Sequence, residues 1–280
     1  MTGGVLLALA AALAYGVSDF IGGVAARRTS AWPVAFTGGI GGFVGALALA
    51  MVWPGDPSGS DLAWGVLAGI GSGLGGAFLY RGFAAGRMGV VGPLSAVGSS
   101  LLPVVVGVLA GERPTLPVWV GVLAAVPGIW LVSREPAVDG APRGPAAGLL
   151  DGVVAGMGFG LLFVATGQVG EDAGFWPLAV TQGMALVAVV VTAMLLGGRW
   201  RPDHPSQAWG LLAGLLATGG VLAFLLATQQ GLLTVAAVLT SLYPAVTILL
   251  AATVVKEHIH RGQALGLVLC GVAVSLVAVG

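Results

Sequence analysis

The chain reads as an all-α membrane protein of ten transmembrane helices, built as two inverted five-helix repeats. Three observations lead there: an excess of apolar residues, an internal repeat, and a one-sided distribution of positive charge. Charged residues make up only 8% of the 280-residue chain and Gly accounts for 49 positions, against about 25% charged and 7% Gly in soluble domains. Mean hydropathy is +1.01, so too little polar surface exists to cover a globule. The formal net charge is zero and no basic patch is present, so nucleic acid is not an expected partner. Cys270 is the only cysteine, which excludes an internal disulfide and a cysteine metal site.

The repeat is visible by register. Moving the segment from Gly231 to Glu257 back by 145 residues lays it on Gly86 to Glu112, and Gly266 then falls on Gly121. The same shift pairs Trp209-Gly210 with Trp64-Gly65, and a shift of 144 pairs Trp176-Pro177 with Trp32-Pro33. The chain therefore divides into a first repeat (1–135), a Pro/Gly-rich linker (136–145) and a second repeat (146–280).

A bilayer core of about 30 Å needs about 20 apolar residues of helix. That ruler predicts spans near 3–25, 32–53, 62–80, 90–110, 116–133, 146–168, 175–197, 208–229, 233–255 and 262–279. Helices are expected because each segment must satisfy its own backbone polar groups. The first span is too long for a signal h-region and follows no positive n-region, so it reads as retained. Seven tryptophans (Trp32, Trp53, Trp64, Trp119, Trp176, Trp200, Trp209) stand at span ends, as an interfacial belt would. Glycines at four-residue spacing (Gly38/Gly42, Gly69/Gly73, Gly152/Gly156/Gly160, Gly210/Gly214, Gly262/Gly266) predict close helix contacts.

Of the 11 Lys and Arg residues, only Arg113 lies in an even-numbered loop. The rest (Arg27, Arg28, Arg81, Arg87, Arg134, Arg143, Arg199, Arg201, Lys256, Arg261) lie in odd-numbered ones. The positive-inside rule puts the odd loops in the cytoplasm and both termini outside, in a multi-pass inner-membrane protein. An odd number of spans per repeat inverts the second repeat, an architecture typical of secondary carriers with a site near the midplane.

Several motifs carry a closer likeness: Ala14-Tyr15-Gly16-Val17-Ser18-Asp19-Phe20 in the first span, Leu242-Tyr243-Pro244 and Lys256-Glu257-His258 around the ninth, and Gly111-Glu112-Arg113 after the fourth. With them the chain resembles, over essentially its whole length, the EamA type of the drug/metabolite transporter superfamily. Gly98-Ser99 stands where the first repeat would carry Tyr-Pro. Many relatives keep their termini in the cytoplasm, whereas the charges here place them outside. The resemblance implies a secondary carrier that exports a small organic metabolite, such as an amino acid, or a drug. A flippase for a lipid-linked substrate and a non-transporting scaffold subunit are the alternatives.

Asp19 is the one acid well inside an early span; a buried charge costs about 2.5–3.5 kcal/mol on insertion scales, which marks it as a cation or proton site. The competing structural reading pairs it with an arginine such as Arg81. Tyr15, Ser18, Tyr80, Ser95, Ser99, Gln168, Gln182, Gln229, Thr240 and Tyr243 are the other polar groups in or beside spans. Some are expected to line a cavity and others to join helices. Arg81, Glu112 and Glu257 are helix-end charges, with Glu112 and Glu257 suited to a gate or to interfacial caps, and Pro93, Pro103 and Pro244 are candidate hinges or tolerated bends, with Pro127 a further intraspan proline. The GxGxxG at Gly71–Gly76 lies in an apolar helix with no strand before it, so it is no nucleotide site. The single lysine, Lys256, follows Val255, which rules out a Walker A loop. No cofactor, metal or catalytic constellation is expected, and the carrier reads as a monomer or weak homodimer, driven by the substrate gradient or by protons as coupling ion.

Overall fold

The computed structural model describes residues 2–85, 88–133, 145–255 and 260–279. They form a helical bundle without strands among those residues: α1 (Thr2–Arg28), α2 (Ala31–Val52), α3 (Gly59–Ala84), α4 (Met88–Leu109), α5 (Leu116–Ser133), α6 (Pro145–Thr166), α7 (Trp176–Leu195), α8 (Trp209–Thr228), α9 (Leu233–Thr240), α10 (Tyr243–Leu250) and α11 (Arg261–Val279). Seven helical stretches are long and apolar enough to cross a bilayer. Three shorter apolar helices, Leu94–Leu109, Leu116–Leu131 and Arg261–Leu276, fall at the predicted fourth, fifth and tenth positions.

The ninth predicted span is not one helix. Pro244 has no N–H to offer the Thr240 carbonyl, so α9 ends at Thr240 and α10 begins at Tyr243. The turn between them is held by Leu242 N–H donating to Leu239 O (3.2 Å) and Ala245 N–H donating to Leu242 O (2.9 Å). A wide π turn, Ala251–Val255, then follows α10. Helix α4 runs without interruption through Pro93 and Pro103, and α5 contains Pro127. The third helix is longer than the predicted span 62–80, so Arg81 lies in its last turns rather than in a loop.

Glycine determines which helices touch. A Cβ on Gly73 would lie 2.5 Å from the Ala185 carbonyl and 2.6 Å from the Ala188 Cβ of α7. On Gly156 it would stand 2.8 Å from Leu94 O of α4, and on Gly158 2.7 Å from Gly75 N of α3. The Gly210/Gly214 pair admits α2 in the same way, through contacts with Val34 and Gly38. Gly262 meets nothing within 4 Å, so its place in a four-residue pattern carries no helix contact among the described residues. Without an apolar-versus-water difference to drive association in lipid, this close backbone approach supplies the dispersion contacts instead.

Two turns require glycine for another reason. Gly55 (φ 60°) and Gly174 (φ 62°) stack against each other, where Asp56 N–H donates to Asp172 O (2.8 Å) and Phe175 N–H donates to Trp53 O (3.2 Å). This ties the end of α2 to the start of α7. Nearby, Asp61 closes a capping box with Ser58 on α3 and also accepts from Gly170 N–H at 2.9 Å.

The main core fills one half of the bundle. It contains Val5–Ala12 of α1, Val221–Ala227 of α8, all of α9, and facing residues of α4, α5, α6 and α11. Large apolar side chains such as Leu6, Met51, Leu109 and Leu195 point outward, as lipid-facing residues should. Tryptophans are mixed: Trp53 and Trp209 are exposed, whereas Trp64, Trp119 and Trp176 pack against the core.

Gly73→Val should lower the thermal unfolding midpoint of the detergent-purified protein, by an overpacking cost of about 1–3 kcal/mol. Gly219→Ala, where a Cβ meets nothing within 4 Å, should leave the midpoint unchanged or raise it slightly. Thermal unfolding of the two variants beside the wild type checks both.

Candidate functional site: a central cavity around Asp19

The other half of the bundle holds smaller apolar clusters, such as Leu79, Phe83, Val91 and Ala155, beside a cavity. Between α1, α2, α3, α6, α7, α8 and the start of α10 lies a cavity of about 840 Å³, counted out to its open side.

One turn of α1 supplies most of its chemistry. Tyr15, Ser18 and Asp19 sit at i, i+3 and i+4 and so share a helix face. Gly16 beside them lets α10 approach: a Cβ there would lie 2.7 Å from the Tyr243 carbonyl. The Tyr15 ring packs on Gly220 of α8, stands edge-on to Phe163 (centroids 6.1 Å) and lies 6.4 Å from the Tyr243 ring. Ser18 Oγ donates to the Ala213 carbonyl at 2.7 Å, locking α1 to α8. Tyr80 reaches in from α3, with its ring end lodged against Gly22 of α1. Tyr243 enters from the break between α9 and α10, its hydroxyl 3.4 Å from Ser95 Oγ.

Asp19 faces all of these. Tyr15, Tyr80 and Tyr243 line the same cavity as its carboxylate. Arg81 does not neutralise it. The Arg81 guanidinium binds Asp151 at the start of α6, with Nε 2.8 Å from Oδ1, and lies over the Phe78 ring. Asp151 is therefore a buried ion-pair partner, only 2% exposed. Among the described residues no cation reaches Asp19.

On the α7 wall, Gln182 lines the cavity while its Nε2 donates to Thr218 Oγ1 at 2.6 Å. Phe163, on the cavity wall, stacks on Phe224 of the core (4.5 Å).

The remaining polar residues lie elsewhere. Ser99 Oγ stands 3.1 Å from Ser241 Oγ, and Thr240 Oγ1 donates to Ala8 O at 3.4 Å. Ser95, Ser99 and Thr240 are fully buried helix-to-helix contacts outside the cavity wall. Gln168 is exposed in the turn after α6, and Gln229 caps α8. Glu112, expected at a gate beside Arg113, caps a helix of the other half. Its carboxylate accepts from Leu233 N–H (2.6 Å) and Thr234 N–H (3.0 Å) at the start of α9. Glu257, Lys256 and His258 lie outside the described residues.

Phe159 and Phe163 escaped the sequence reading, because an aromatic in an apolar span looks like any core residue. Their i, i+4 spacing beside Gly160 was the only available signal.

A bundle of membrane-crossing helices around a polar-lined central cavity defines a membrane carrier. The sequence matches the EamA-like transporter family twice, over residues 2–134 and again over 146–279, and the chain belongs to that family. It is thus a secondary transporter that moves small molecules across a membrane. No curated protein matches the sequence. Among solved structures, one titled "Crystal structure of protein" shares the fold, with a TM-score of 0.70 over 98% of this chain and 95% of that one at 17% identity.

Replacing Glu112 by Ala removes two acceptors from the α9 N-terminus and should cost about 2 kcal/mol, with Glu112→Gln losing less. Thermal unfolding in detergent is the check; equal midpoints for the Glu112→Ala and wild-type proteins would contradict the capping role.

Proposed function

We propose that the protein is a proton-coupled exporter of a small organic metabolite or drug, working by alternating access, with Asp19 as the coupling carboxylate. The observation that carries this is the position of Asp19: a carboxylate on the cavity wall, among tyrosines, with no cation bound to it among the described residues. A carboxylate in that setting can hold a proton in one state and exchange it for substrate in another.

The reading takes the bundle as ten spans in two inverted repeats, 1–135 and 146–280, with 136–145 between them. Helix pairings support it. Helix α1 lies on α8 as α3 lies on α6, and α2 lies on α8 as α7 lies on α3. Advancing each member by one repeat turns the first pair of each comparison into the second, and α5 with α11 maps onto itself. The cavity occupies the half of the bundle that holds Arg27 and Arg28, so under the positive-inside rule the state is inward-facing, with both termini outside. Glu112 on α9 and the Phe163–Phe224 stack would then seal the outer half. The break before Pro244 is the hinge best placed to move Tyr243 relative to Asp19, while Pro93 and Pro103 would bend α4 against it.

Substrate efflux from proteoliposomes should accelerate when an inward proton gradient is imposed. Asp19→Asn should abolish that acceleration while the protein keeps its wild-type unfolding midpoint to within about 1 kcal/mol. The other ionisable groups facing Asp19 are Tyr15, Tyr80 and Tyr243, and Phe replacements at each serve as controls that keep the carboxylate. Gradient-driven efflux persisting in Asp19→Asn would remove the coupling role.

A further inference from the structure

The cavity wall distinguishes between substrate classes more sharply than the carrier reading requires. Its only ionisable acid is Asp19, and no Lys, Arg or His is present among the described residues that line it. The remaining polar groups are neutral: the hydroxyls of Tyr15, Tyr80, Tyr243 and serines, and the Gln182 amide. Apolar surface comes mainly from small aliphatics and from two phenylalanines, Phe159 and Phe163.

We infer that the substrate is an organic monocation, a protonated amine on an aromatic or aliphatic body without a free carboxylate. The inference rests on the carrier reading and narrows its substrate. The ammonium would pair with Asp19, the one negative charge available, in a charge-assisted contact. Tyr15 and Tyr243, which line the same cavity with their rings 6.4 Å apart, would add aromatic surface for cation–π attraction. The organic body would lie against Phe159 and Phe163.

The same wall rejects two neighbouring classes. An anion would meet a carboxylate and no cation. A zwitterionic amino acid would satisfy its ammonium at Asp19, but its own carboxylate would sit within a few ångströms of Asp19 with only neutral hydroxyl and amide donors to hold it. Two carboxylates sharing a poorly solvated site repel strongly. An amino acid thus fits this wall less well than the amine that lacks only its carboxylate.

Three probes with one ring and one chain length isolate the charge: 2-phenylethylamine, phenylalanine and 2-phenylethanol. Their binding to the full-length, detergent-purified protein is measured by isothermal titration calorimetry near neutral pH. The amine should bind at least about tenfold more tightly than either of the others, the scale of one charge-assisted contact. Asp19→Asn should reduce that preference to within about twofold, and Asp19→Glu, which keeps the charge, should retain most of it. Phenylalanine binding as tightly as the amine would overturn the inference. So would an amine preference that survives in Asp19→Asn, or the absence of binding by all three probes. Flux is read separately in proteoliposomes. Selective amine binding without flux removes the carrier reading and leaves the site's preference standing, whereas flux of another substrate without amine preference removes only the present inference.

Discussion

Close approach of helix backbones is the constraint on which the rest of this structure depends. In a bilayer, helices gain nothing from withdrawing apolar side chains from lipid that is equally apolar, so contact has to come from fit. Glycines provide it where α2 meets α8, α3 meets α7 and α6, and α6 meets α4. Each of these contacts joins one half of the sequence to the other. The cavity is what remains between them: glycines such as Gly38, Gly39, Gly73 and Gly76 form part of its wall, leaving space where larger residues would fill it.

Polar groups are arranged by the same geometry. Ser18, Thr37, Thr181 and Thr218 all donate to carbonyls on neighbouring helices, so their hydroxyls reinforce glycine-mediated contacts. Arg81 and Asp151 join α3 to α6, and Glu112 joins the end of α4 to the start of α9. With these groups committed to structure, Asp19 stands out as the acid that the packing leaves to the cavity.

The broken ninth span links the two levels. Pro244 ends the hydrogen-bond ladder and the chain restarts at Tyr243, which places that ring opposite Tyr15. Gly16 accepts the restarted helix at close range, and Thr247 Oγ1 stands 3.2 Å from the Gly16 carbonyl. The Tyr15-Gly16 and Tyr243-Pro244 pairs, which carry the family resemblance, are therefore two sides of one contact. One member of each pair shapes the backbone and the other faces the cavity.

Much of this was legible beforehand. Hydropathy and length determine that the chain crosses a membrane, register reveals its two halves, and Asp19 announces itself because a lone carboxylate in an apolar span is costly. Those properties are local or periodic, so they survive in one dimension. The partners of polar residues do not. Arg81 was equally available to Asp19 and Asp151, and Glu112 equally to Arg113 and to a distant helix terminus. Ser95, Ser99, Thr240 and Ser18 look alike as sequence. Only the packing decided that three of them join helices away from the cavity while Ser18 lies on its wall, and that Phe159 and Phe163 join it. The reason is rotational: composition and length make a helix span a bilayer, but which of its faces meets which neighbour depends on fit between surfaces far apart in the chain.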